Sequence, residues 1–205
     1  MNAHPAQSAM KDRILETADR LFYQRGIHAN GVDTIAAEIG ISKRTLYNHF
    51  PSKEALVLAY LDRRFQPVAE SEKNPLEQIG GAFDRLEKAF ASATFRGCPF
   101  VNAVAELGDE SAGARKIAVA FKENRRQWLC GLTRELGAAD PDFLATQIAI
   151  LIDGAIAAGL VRRDPAMARA AKAAALALID AATVKANPEL RLTASVKRKR
   201  RPPPR

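Results

Sequence analysis

Residues 35–56 read IAAEIGISKRTLYNHFPSKEAL, and the way this stretch breaks into helices decides the fold. Ile35, Ala36 and Ile39 recur at helical spacing until Gly40 reverses the chain. Ser42 then caps a third helix, expected over Lys43 to Phe50, which Pro51 stops. Upstream, Asn30 is expected to cap the second helix, with Asp33 as a short acidic partner three residues on. A first helix, Ala9 to Arg25, places Ile14, Ala18, Leu21 and Phe22 on one face and ends at Gly26. Two helices joined by a four-residue turn containing glycine have the spacing of a helix-turn-helix, whose second member lies in a DNA major groove.

Side-chain direction divides the third helix. At 100° per residue Leu46 and Phe50 share a face that must pack on the first two helices. Arg44, Thr45, Tyr47 and Asn48 then point outward, flanked by Lys43 and His49, and together offer donors and acceptors suited to base edges and phosphates. Ser52 opens a fourth helix and places Lys53 at an amino terminus where a phosphate is attracted.

The run Ile35 to Leu56 closely resembles the tetracycline-repressor (TetR/AcrR) family, and the likeness extends over about residues 9–64. A later segment, Arg96 to Asn102 followed by Ala105-Glu106, resembles one branch of that family. Asn30-Gly31 stands where members often place threonine or serine. The resemblance implies a cytoplasmic, dimeric and usually repressing transcription factor. It also implies that Arg44, Thr45 and Asn48 meet bases, while Thr34, Tyr47, His49 and Lys53 meet phosphates.

Composition agrees with a helical globular chain. The 205 residues are 47% hydrophobic and 26% charged, enough to bury a core without disulfides or metals. Alanine occurs 39 times and no alternating strand pattern is visible, so the expected fold is all-α. Breakers at Gly26, Gly40, Pro51, Pro67, Pro75, Gly97 to Pro99, Gly108 to Gly113, Gly137 to Pro141 and Asp164-Pro165 cut it into about nine helices. The net charge of +8 is uneven: residues 1–64 carry +2, 65–184 carry −1 and 185–205 carry +7. A basic tail on a near-neutral body makes total charge a poor argument for nucleic-acid binding. Four segments follow: a flexible start at 1–8, a DNA-binding head at 9–64, a helical effector-binding and dimerisation domain at 65–184, and a disordered basic tail at 185–205.

The middle of the chain offers Phe83, Leu86, Phe90, Phe95, Phe100, Val101, Val104, Phe121, Trp128 and Leu129 for burial. In the resembled family this region encloses an effector pocket. Phe90, Phe100, Val104, Arg125 and Trp128, with Asn102 and Glu106 as polar anchors, are the candidates for binding a small molecule of unidentified nature. Farther on, Leu144, Ile148, Leu151, Ile152, Ala155 and Ile156 form a broad apolar face, followed by Ala171, Ala175, Leu178 and Ile179 in line on a last helix. Two such pairs from two subunits build a four-helix, two-fold interface, and the operator then mirrors it as a palindrome with half-sites ~34 Å apart.

Other chemistry has little footing. Cys98 and Cys130 match neither a zinc nor a redox spacing, and His4, His28 and His49 show no metal-ligand pattern, so neither a metal nor a cofactor is expected. The start of the chain has no basic region before an apolar run, and the apolar stretch Ile148 to Val161 is short and carries Asp153, so no membrane partner is expected. The competing readings are an activator or architectural DNA-binding protein on the same fold, and a helical enzyme using Cys98 or Glu106.

Overall fold

A computed structural model describes residues 5–68 and 71–186, with no side-chain detail for 5–7 and 184–186. Among the described residues the chain forms nine α-helices and no strand. They are α1 (Pro5–Arg25), α2 (Val32–Ile39), α3 (Lys43–His49), α4 (Lys53–Arg64), α5 (Pro75–Phe90), α6 (Pro99–Leu107), α7 (Ala112–Glu135), α8 (Pro141–Arg162) and α9 (Ala166–Ala186). The first helix begins four residues before the expected Ala9, so residues 5–8 are helical rather than a flexible lead. Residues 1–4, and 187–205 of the expected tail, lie outside the described residues.

The helices gather into two compact units. One holds the chain through Pro67 together with Arg96–Glu123; the other holds Val68–Phe95 and the helices from Asn124 onward. The linear division at residue 64 thus differs from the spatial one, because α6 and the first half of α7 pack with the head.

In the first unit the face read from the sequence closes as a core: Ile14, Ala18, Leu21, Phe22, Ile35, Ala36, Leu46 and Phe50 are all buried. Helix α4 adds Leu56, Val57, Tyr60 and Leu61, with the Tyr60 ring edge-on to Phe22. Arg64 at the end of α4 makes a two-pronged bond to Asp19 of α1 (2.6 and 2.8 Å) and lies 4.1 Å above the Tyr23 ring. Burial works hardest against the Arg64 charge, but the Asp19 hydrogen bond together with the electrostatic pull of Tyr60, Asp19 and Tyr23 more than offsets it, so the guanidinium's pKa is raised. Phe100 stacks on Phe121 (3.9 Å between centroids), and Phe65 meets both edge-on. Val101, expected inside, is 49% exposed on α6.

The second unit is built from α5, α8, α9 and the end of α7. Ile79, Phe83, Leu129, Leu132, Leu144, Ala145, Ile148, Ile152, Ala175 and Ile179 form one buried cluster. Phe90, Phe95, Ala155 and Ala168 form a second. A Cβ at Gly159 would lie 2.6 Å from the Phe90 ring, so glycine is what lets α8 approach that aromatic. Helix α8 is long and apolar enough to cross a membrane by length and composition. Its Leu144, Ile148 and Ile152 instead fill this core, and its Asp153 pairs with Arg125.

Candidate nucleic-acid interface

Helix α3 is only seven residues long, so its position depends on its ends and its packing. Ser42 caps it: the hydroxyl accepts from the Thr45 amide at 3.0 Å. At the preceding turn Gly40 sits at φ +76°, a left-handed value that favours glycine, and its N–H closes α2. Leu46 and Phe50 are buried, with α3 packed against α2 and Lys11 of α1 over the Phe50 ring, which leaves the opposite side open.

On that side Arg44 and Asn48 are exposed, and Tyr47 is 39% exposed despite its size. Thr45 is half-buried, with its hydroxyl 2.8 Å from the Ser42 hydroxyl, so it is held by the cap. His49 is half-buried and Thr34 is exposed at the start of α2. Lys43 is exposed and bonded to Asp33 of α2 at 2.9 Å, and that hydrogen bond raises the lysine's pKa. The eight residues expected to face DNA thus lie on three short consecutive helices, α2 to α4.

Two local details differ from the sequence reading. Gly31, not Asn30, is the N-cap of α2, and no side chain caps it. The Asn30 side chain is buried and donates to the carbonyls of Leu21 (3.3 Å) and Gly26 (2.7 Å), satisfying the end of α1 instead. Asp33, freed from a capping role, is the partner of Lys43. Lys53 begins α4 after the Ser52 cap and is half-buried. It lines a cleft of about 180 Å³ with Ile27, His28, Glu54, Val57, Leu107, Glu110 and Ser111, so two carboxylates share its surroundings.

The residues expected to bind an effector fall in both units. Phe100, Asn102, Val104 and Glu106 belong to the first. Asn102 donates to the Arg96 carbonyl (2.7 Å), and the Glu106 carboxylate accepts from the Ile27 and His28 amides. Phe90, Arg125 and Trp128 belong to the second, where Phe90 meets Phe95, Arg125 pairs with Asp153, and Trp128 packs on the main core. The Glu106 contacts span 79 residues of sequence, and no local pattern announces them.

The residues expected at a subunit interface are accounted for differently. Leu144, Ile148, Ile152, Ala155, Ala175 and Ile179 are buried within the single subunit. Leu151, Ile156, Ala171 and Leu178 pack half-buried on the same core. What α8 leaves open is another stripe, Phe143, Ile150, Gly154, Ala157 and Val161, and α9 leaves Ala170, Ala173, Ala174, Ala177 and Ala181. Phe143, Ile150 and Val161 are 61, 64 and 82% exposed. Cys98 and Cys130 are free thiols, both buried.

A sequence profile described as "Bacterial regulatory proteins, tetR family" matches residues 14–60, from the middle of α1 to α4. The transcriptional repressor KstR2 of Mycobacterium tuberculosis is 36% identical over 83 residues, 37% of this chain and 42% of that protein. The transcriptional activator FasR of Mycolicibacterium smegmatis is 37% identical over 79 residues, 38% of this chain and 36% of that protein. The matches therefore span less than half the length of these curated relatives. The crystal structure of SCO4454, a TetR-family transcriptional regulator from Streptomyces coelicolor, superposes with a TM-score of 0.78 at 32% identity, covering 86% of this chain and 97% of that one. Likeness on that scale, running through both units and not the head alone, means that this chain belongs to the TetR family.

Proposed function

We propose that this chain is a cytoplasmic, sequence-specific DNA-binding transcription regulator that works as a homodimer on a palindromic operator. A small-molecule effector releases it, which makes it a repressor. The observation that carries this reading is the open side of α3: Arg44, Tyr47 and Asn48 stand in solvent on a helix whose other side is locked down by Leu46 and Phe50. Such a surface supplies a bidentate donor and an amide, the groups suited to base edges. Thr45 joins Arg44 and Asn48 toward the bases, while Thr34, Lys43, Tyr47, His49 and Lys53 surround them as phosphate contacts. The chain binds rather than catalyses, a reading supported by relatives that are named as regulators.

The second copy is expected on the exposed stripe of α8, Phe143 to Val161, with the alanines of α9 allowing close helix approach. The effector is expected among the aromatic and polar residues named above, whose occupation shifts the population of head arrangements. The match to FasR favours one second reading, activation from the same kind of operator.

Selection from random duplex DNA by the purified chain at ~150 mM salt tests the reading, because non-specific phosphate attraction is already weak there. Enrichment of a palindrome is expected. Uniform recovery of all sequences would remove specific recognition from the proposal. Reporter output from the selected site then separates repression from activation.

A further inference from the structure

The corner between α1 and α2 is fixed from outside the head's own sequence. Gly26 ends α1 at φ +94°, and the next two amides point at one carboxylate oxygen: Ile27 N–H to Glu106 Oε2 at 2.6 Å and His28 N–H to the same atom at 3.0 Å. The His28 ring completes the contact, its Nε2–H donating to the Glu106 carbonyl at 2.7 Å. Any Cβ at Gly26 would stand 3.0 Å from Glu106 Oε2, so the corner is shaped to admit this side chain. The other end of α6 is tied as well. The Tyr23 hydroxyl donates to the Gly97 carbonyl (3.1 Å) and accepts from the Arg96 amide (3.0 Å). Asn102 binds the Arg96 carbonyl, which holds that lead-in to α6 itself.

We infer that Glu106 is a positioning residue for DNA reading, a carboxylate through which α6 sets the α1–α2 corner and hence the presentation of α3. The inference rests on the DNA-binding function proposed above. The corner runs through Asn30 and Gly31 directly into α2, which buries Val32, Ile35 and Ala36 and packs against α3, where Leu46 is buried too. A bond from two backbone amides to one charged oxygen is stronger than a neutral one and, being half-buried, is costly to leave unmade. Loss of the Glu106 contact therefore frees the corner, and with it the presentation of the reading surface.

The test compares the full-length wild type with Glu106→Ala, Glu106→Gln and His28→Ala on two duplexes, the palindrome selected by the wild type and a scrambled version. Glu106→Ala is expected to bind the palindrome about tenfold more weakly. Its affinity for the scrambled duplex should stay within about twofold, because the phosphate-binding groups are intact. Glu106→Gln, which keeps an oxygen for both amides, should restore most of the discrimination. Unchanged affinity of Glu106→Ala for both duplexes would overturn the inference. So would a parallel loss on both, with glutamine no better than alanine, since that pattern marks packing alone. Should Glu106→Ala fail to fold, His28→Ala carries the test from an exposed position: a loss confined to the palindrome supports the inference and an unchanged ratio sinks it. A wild type that enriches no sequence removes the DNA-binding proposal first, and this inference with it.

Discussion

Helices α3 and α8 show how differently a sequence can speak about its surroundings. The shorter one has a sharp division, with Leu46 buried, Phe50 buried at its end, and charged or polar groups elsewhere. The longer one is apolar nearly all round, with Leu144, Ile148 and Ile152 inside and Phe143, Ile150 and Val161 outside. Periodicity assigns a face only when the two sides differ in polarity. For α3 the buried and exposed sides follow at once. For α8 the pattern predicts a broad apolar face, yet nothing in it separates the side turned to the subunit's own core from the side turned outward.

The sharpest way to stress that contrast is to cut into both cores. Leu46→Ala and Ile148→Ala should each destabilise the protein by about 2–5 kcal/mol, read by thermal or urea melting. If Ile148 belongs to the subunit's own core, its melting shift relative to wild type stays constant as protein concentration is varied. A shift that shrinks with concentration would return Ile148 to an interface. The outer stripe of α8 gives the complementary experiment. Ile150→Lys should leave the subunit folded while weakening self-association by about tenfold or more, seen by sedimentation equilibrium, since a charge must then be buried without a partner. An unaltered association constant would place the interface elsewhere.

Smaller effects return to α3 and the start of α4. Ser42→Ala removes the hydroxyl that holds the Thr45 amide and should cost about 1 kcal/mol, visible as a lowered melting temperature. Lys53→Ala should weaken binding to all duplexes alike and reduce the slope of log K against log salt by about 1. An unchanged slope would mean that the lysine serves only the cleft it shares with Glu54 and Glu110.

These contrasts explain what the chain reveals in one dimension. The nine helices, the glycine at the turn, the Ser42 and Ser52 caps and the facing of α3 all rest on contacts within about four residues, which spacing encodes. Asn30 departs from the expected capping role because an amide beside a helix start is equally able to close the helix before it, and the carbonyls of Leu21 and Gly26 decide the matter. The Lys43–Asp33 pair joins two helices across the turn, and the Glu106 carboxylate reaches back 79 residues to Ile27. Neither has a periodic signal. The partition of α6 into the head's unit is equally invisible, since it depends on which long-range contacts outnumber others.

The central claim, that the open side of α3 reads base sequence, is met most directly by repeating the random-duplex selection with Arg44→Ala beside the wild type. We expect the wild type to enrich a palindrome and the variant to lose preference at one symmetric position in each half-site, with affinity for the original site reduced by about 1–3 kcal/mol. Recovery of the same motif at every position from both proteins would contradict base reading by this helix.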